Sequence, residues 1–338
     1  MNRYEQFTED RPNGQDTEQE KRPRFTAVFD DELIARPRPP QIINGMYSAN
    51  SIGMLYGASG SGKTFVALDQ GLSVQNDDDW VGLPVTQGRV VYVCGEGTGH
   101  FPQRIAAWKL SRGVPLTERL GAIIVEQPVM MGDPFAVADF IDIIQAIDEH
   151  PAFIVLDTLA RCACGLNEND QRDMGLFINS CEVIREKTKC CVLILHHPNR
   201  VNGTERGSSV LRASCDTVLA LEADGTALTL KTEKQKDGAC GNPINLVLEP
   251  VRFVVSEAVT IDTCIVAAGT PELTESERKA MQVLEDCFGD EGATQPQWRD
   301  VCESEGLKRA SFYRAATSLK RKKHVIEDGD KWVKSRLK

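Results

Sequence analysis

The sequence predicts an α/β protein: a mostly parallel sheet flanked by helices, an antiparallel extension, and a small C-terminal winged-helix domain. Three observations predict it. Uninterrupted apolar runs such as "FIVLD" and "CCVLIL" read as strands buried on both faces. They alternate with stretches at helical spacing, which is the pattern of a parallel sheet covered by helices. After Asp216 the pattern changes to strands joined by tight turns, and the chain from 274 onward reads helix, helix-turn-helix, hairpin.

Residues 1–24 are polar, lack the apolar core of a secretory signal, and read as a disordered tail. "RPRPPQIINGMY" is a proline-rich, extended lead-in. "SIGMLYG" is a short buried strand. The helix in "GKTFVALDQGLSVQ" follows, with Phe65, Leu68 and Leu72 at three- and four-residue spacing. "GRVVYVCGE" and "HFPQRIAAWKLSRG" add a strand and a helix, as do "LGAIIVEQP" and "PFAVADFIDIIQAIDEH". "AFIVLDT" and "CCVLILHH" are strands on either side of the helix "MGLFINSCEVIREKTK". Asp224-Gly225 marks a hairpin, and "PINLVLEPVRFVV" adds a strand. One domain is thus expected over 25–255, a linker over 256–273 and a second domain over 274–338. Thr274 and Glu277 form a capping box at the start of that second domain. "QPQWRDVCESEG" is a short helix ended by Gly306, "KRASFYRAATSLKRKK" is the third helix, and Asp328-Gly329 turns a hairpin.

An apolar content of 41% over 338 residues allows a sizeable core. No apolar run approaches the length of a bilayer span, so no membrane partner is expected. The eleven cysteines fit no zinc spacing and accompany no signal peptide, so they read as reduced, mostly buried thiols of a cytoplasmic protein. The net charge of −10 argues against a general nucleic-acid coat. From Gly306 to Lys338, however, 11 Lys and Arg face 3 Asp and Glu, a local charge of +8. That asymmetry describes a basic module on an acidic body.

The chemistry starts at Gly57, Ala58, Ser59, Gly60, Ser61, Gly62, Lys63 and Thr64, "GASGSGKT", which fits G-x-x-x-x-G-K-[ST] between a strand and a helix. Glycines let backbone N–H groups turn inward around phosphates, and the helix N-terminus adds positive potential. ATP and Mg²⁺ are the expected ligands: Lys63 on the β- and γ-phosphates, Thr64 on the metal, and Phe65 beside the loop. Asp157 ends a buried strand, where a second Mg²⁺ partner belongs, acting through water. Thr158 rather than Glu follows it, so the base that activates water comes from elsewhere. Glu96, at the carboxyl end of another strand, is the candidate.

The segments "GASGSGKTF", "VVYVCGEG" with "RIAAW", "FIVLDTLAR", "NENDQRDM", "VLILHHPNR" and "RGSSVLRASCDTVLAL" together resemble the RepA-type hexameric helicases of plasmids and phages, within the RecA/DnaB-like P-loop ATPases. The resemblance covers roughly Gln41 to Pro250. It implies a homo-oligomeric ring, a hexamer, with ATP at each subunit interface and single-stranded DNA in a central channel. It implies that Glu96 is the catalytic glutamate and Asp157 the Walker B acid. His197 would read the γ-phosphate and pass its state to a DNA loop. Arg206, and Lys234 with Lys236 in "KTEKQKDG", would act on the neighbour's nucleotide. A cation supplied in trans makes hydrolysis depend on assembly. Arg161 and Arg200, in the loops after Asp157 and after His197, would track the phosphate backbone. His196, its side chain on the opposite strand face from His197, reads as structural. Metal binding by the two histidines lacks partner ligands at a suitable spacing. A separate primase is implied, and a bacterial host cytoplasm if the gene is carried by a phage or plasmid.

The resemblance does not reach the C-terminal domain. Lys308, Arg309, Arg314, Lys320 and Arg321 lie on or near its third helix, which is expected to meet duplex DNA. Two other readings fit the same residues. One is a RecA-like recombination or repair ATPase forming filaments on DNA; the other is an ATP-gated DNA-binding regulator without motor activity.

Overall fold

The computed structural model describes residues 27–148, 150–197, 209–256, 259–269, 273–321 and 324–335. The chain divides into two compact units, Met1–Arg38 and Pro39–Lys338. The first contributes one short helix, α1 (Asp30–Ile34), whose Phe29, Leu33 and Ile34 are exposed.

The second unit opens with the strand pair β1 (Gln41–Ile43) and β2 (Tyr47–Ser48). Strands and helices then alternate: β3 (Ser51–Tyr56), α2 (Lys63–Asn76), β4 (Val90–Cys94), α3 (Phe101–Ser111), β5 (Ile123–Val125), α4 (Pro134–Ile147) and β6 (Phe153–Asp157). A short helix α5 (Leu159–Cys162), the long helix α6 (Gln171–Thr188), β7 (Cys191–His196) and α7 (Ser209–Ser214) complete the alternation. Four strands follow without helices: β8 (Thr217–Asp224), β9 (Ala227–Gln235), β10 (Ile244–Ser256) and β11 (Val259–Ala268). Nine of these strands form one sheet, ordered β11-β10-β9-β8-β3-β7-β6-β4-β5. The six from β8 to β5 are parallel, and β9, β10 and β11 extend the sheet antiparallel. The fold is α/β, a RecA-like P-loop core with its parallel sheet between helices.

The strands lack polar alternation because both faces are buried. On β6, Phe153 and Val155 join the core under α2 and α3, while Ile154 and Leu156 join the core under α4 and α6. Helix α6 starts where Asp170 accepts from the amides of Arg172 and Asp173, and α4 where Asp133 caps Phe135.

The stretch expected to be a linker, 256–273, needs correction. Residues 259–268 form β11, which pairs with β10 over nearly its whole length and packs on α3 and α2. Ile261 and Val266 are buried there. Its mixture of Thr, Asp and Cys with Val and Ile carries no clean period, so its partner strand and the helices beneath define it. Pro250 sits in β10 beyond Val247, where β10 has left β9 and pairs only with β11. A missing N–H is tolerated on such an unpaired side.

The chain then forms α8 (Glu275–Phe288), β12 (Ala293–Thr294), α9 (Gln295–Ser304), α10 (Arg309–Arg321), β13 (Val325–Asp328) and β14 (Lys331–Lys334), with sheet order β12-β14-β13. Thr274 and Glu277 close a capping box on α8, and Thr294 and Gln297 close another on α9. A separate core gathers around Trp298, which donates to Ala280 O at 2.8 Å and packs edge-on to Phe312.

Candidate active site

Four parallel strands, β3, β7, β6 and β4, lie side by side, and their carboxyl ends deliver the loop after Tyr56, the two histidines, Asp157 and Glu96 to one place. That edge is where open α/β sheets bind ligands.

Residues 57–62 wrap the N-terminus of α2. Gly60 and Gly62 hold left-handed φ values of 76° and 88°. Gly57 is required for a different reason: a Cβ there would stand 2.4 Å from Leu221 O and 2.9 Å from Ser61 Oγ. Lys63 is 4% exposed and donates to Gly57 O at 2.7 Å and Ala58 O at 2.8 Å. Burial pushes its ammonium down to about 8, against the pull of Asp157 and Glu96. Ser61 Oγ is buried without a hydrogen-bond partner.

Asp157 is 1% exposed. Tyr92 donates to its Oδ2 at 2.8 Å, and Oδ1 is buried without a partner. Burial raises its pKa, while the hydroxyls of Tyr92 and Thr64 pull it back down. A carboxylate with a vacant oxygen beside Thr64 fits one protein-side partner of Mg²⁺. Among the described residues no three His, Cys, Asp or Glu side chains converge on a metal position. Mg²⁺ at phosphate sites uses one or two protein ligands and takes the rest from phosphate and water, so the residues suit that ion.

Glu96 is partly exposed. Its Oε1 accepts from Thr158 Oγ1 and Arg161 Nε, both at 3.2 Å. Arg161, expected along a DNA path, gives its Nε to the glutamate instead. Its side chain remains 60% exposed. His197 Nδ1 is buried without a partner; burial and nearby Lys63 lower the ring's pKa, and Glu96 opposes them. His196 is 3% exposed, with Nδ1 4.0 Å from Glu168 Oε2, and burial pushes its pKa down to about 4. Its carbonyl accepts from Gly57 N at 3.3 Å, which ties the end of β7 to the phosphate loop.

Lys234 stands apart from the others. Its Nζ donates to the carbonyls of Arg212, Ala213 and Cys215 at 3.1, 2.8 and 2.7 Å, which closes the C-terminal end of α7. The two lysines of K-x-K are therefore held differently: the ammonium of Lys234 is engaged within its own chain. Lys236 is exposed and pairs with Asp216 at 3.2 Å. Arg200 and Arg206 lie outside the described residues, as does the side chain of Arg321. Lys308, Arg309, Arg314 and Lys320 are exposed on or beside α10, far along the chain from this site.

Two residues at the site lie within segments of the resemblance but are given no role by the sequence. Tyr92 reads in the sequence only as a strand residue, yet it fixes Asp157. Arg104 stacks on Phe65 with its guanidinium 4.4 Å from the ring centre. Only their positions, two residues before the end of β4 and facing α2 from α3, reveal them.

A phosphate loop after β3, a buried aspartate ending β6 two strands away and a glutamate just beyond neighbouring β4 define a P-loop ATPase of the RecA-like class. A family model described as AAA domain, AAA_25, matches residues 19–203, and the chain belongs to that family. No curated protein matches. Among solved structures, that of the RadB recombinase is similar, with 19% identity over 59% of this chain and 88% of that chain and a TM-score of 0.45. No described helix is long and apolar enough to cross a membrane.

Proposed function

We propose that the protein is an ATP-driven DNA translocase that works as a ring, hydrolysing ATP at subunit interfaces while moving on single-stranded DNA during replication. The observation that carries the hydrolytic part is the set of buried, unpartnered polar atoms around the phosphate loop: Ser61 Oγ, Asp157 Oδ1 and His197 Nδ1. Such atoms are costly unless a ligand satisfies them.

In this reading Lys63 leaves the Gly57 and Ala58 carbonyls for the phosphates, and the amides of 58–64 turn to the same oxygens. Thr64 and Asp157 would hold Mg²⁺ on the protein side, and the ion would supply positive charge to the phosphates. Glu96 Oε1 is held by Thr158 and Arg161, so Oε2 takes the proton of the attacking water. His197, close enough to Lys63 and Glu96 to feel both charges, would read the state of the phosphate and pass it to the residues that follow it in sequence. Lys236, with Arg206, is the candidate trans cation. The motor reading itself draws on the resemblance of 41–250 and on the basic residues flanking the site. A separate primase is the expected partner.

The test combines turnover with assembly. ATP hydrolysis stimulated by single-stranded DNA, lost in His197→Ala with nucleotide binding retained, is the expected result. Closed rings seen by electron microscopy with a slowly hydrolysed analogue support the motor. Continuous filaments would replace it with a recombination or repair ATPase, and tight duplex binding with negligible turnover would replace it with a regulator.

A further inference from the structure

Helix α10 buries Phe312, Ala315, Ala316 and Leu319 in the C-terminal core and exposes Arg309, Ala310, Tyr313, Arg314 and Thr317. The middle of the exposed face, Ala310 and Thr317, is small, so a partner can come close to the helix. Donors to anions stand on both flanks.

On the α9 side, Arg299 holds Asp300 Oδ1 through Nε and Nη2, at 2.8 and 2.5 Å, and its Nη1 donates to Tyr313 Oη at 3.3 Å. Its side chain is only 19% exposed, so the guanidinium is fixed rather than free. Arg309, one turn before Tyr313, is exposed on the same side of α10. An oxygen that accepts from cations has its own proton directed elsewhere, and that proton becomes a stronger donor. The hydrogen bond from Arg299 lowers the phenol's pKa accordingly. On the α8 side, Arg314 lines a groove of about 740 Å³ with Ser311, Thr317 and Ser318, reaching Thr274 and Ser276. The one carboxylate in that groove, Glu277, is turned back to Thr274 N at 2.7 Å.

Donors border the narrow exposed face of α10 on both sides, with Tyr313 also reaching the groove that Arg314 lines, and such a face suits the backbones beside a major groove. The groove is about 12 Å wide and a helix with its side chains about 10–12 Å. A protein partner would call for an apolar centre, and the exposed face of α10 offers none beyond the edge of Tyr313.

We propose that Arg299, Arg309 and Tyr313 form a clamp for a backbone phosphate of duplex DNA, seating α10 in the major groove with Arg314 facing the opposite strand. The clamp rests on the reading of 274–338 as a DNA-binding module. Arg299, which lies outside α10, is then a phosphate ligand braced by Asp300.

The experiment follows binding of a short fluorescein-labelled duplex to the full chain by anisotropy across a NaCl series. Each of Arg299→Ala and Arg309→Ala should reduce the log–log salt slope by about 1. Tyr313→Phe should weaken binding with the slope unchanged, because it removes a neutral donor. Arg299→Lys should keep the slope and lose affinity, since the charge remains and the fork that grips Asp300 does not. Melting curves and ATP turnover equal to wild type establish that each variant is folded. Wild-type affinity and slope in Arg299→Ala and Tyr313→Phe, with binding weakened by Arg314→Ala, would overturn the clamp and leave the module's DNA role standing. Unchanged binding in all of these variants, or no duplex binding by the wild type, overturns both and leaves the face to a protein partner.

Discussion

Lys63 turns its ammonium onto carbonyls of its own loop, and its pKa of about 8 makes phosphate binding sensitive to mild alkali. Only the protonated amine attracts phosphate. Above pH 8 the free site must take up a proton to bind, so affinity should fall about tenfold per pH unit there and stay flat below. Fluorescent ATP titrations across that range measure it, and a profile flat on both sides would refute the displaced pKa. Lys63→Ala should lower turnover by about a hundredfold or more with little change in melting temperature, since it removes a transition-state cation. His196 gives an acid limb of opposite origin. Its folded pKa near 4 lies below the ordinary 6.5, so the unfolded chain binds more protons between those values. Stability is therefore full above pH 6.5 and declines as pH falls toward 4, by up to about 3 kcal/mol. Urea melts of wild type and His196→Asn over that range should show the limb flattened in the variant. Strand alternation already sets the two adjacent histidines on opposite faces. A difference in burial and in the nearest charge separates them.

Among the elements, the phosphate loop is legible because its chemistry is local: glycines, a lysine and a helix start lie within eight positions. Why Gly57 must be glycine is not local. Leu221 O, on β8, occupies the space a Cβ would need. Gly57→Ala should weaken nucleotide binding and cost about 1–3 kcal/mol, checked by titration and melting. Helix α7 offers a second case. K-x-K gives no hint that Lys234 closes a helix end, because the carbonyls it reaches are some twenty residues earlier in the chain. Lys234→Ala should lower stability by about 1–2 kcal/mol, whereas Lys236→Ala should leave it nearly unchanged. Equal melting temperatures for the two variants would remove the capping role and return Lys234 to the interface.

For the molecule as a whole, the long β10–β11 hairpin is the least expected feature. It extends the sheet at the edge far from β5 in strand order, yet β11 packs on α3 and α2, and Leu248 of β10 lies against Gly62. The antiparallel extension thus curls over the helix that begins at the phosphate loop. A chain ending at Val255, the boundary suggested by composition, should lose β11 and aggregate, whereas one ending at Gly269 should keep a soluble ATPase core. Light scattering and calorimetry of the two truncations distinguish these outcomes.

The sequence by itself determined the parallel core, the phosphate loop, the strand ends that carry Asp157 and Glu96, and the capped helices after Thr274. All of these depend on neighbours in the chain: apolar runs, a motif of fixed spacing, a cap three residues from its partner. Only the tertiary structure decided that β11 belongs to the sheet, that Tyr92 orients Asp157, that Arg161 holds Glu96, and that Lys234 serves α7. Those contacts join residues far apart in sequence. Each is selected by which groups burial leaves in need of a partner, and no local pattern records that.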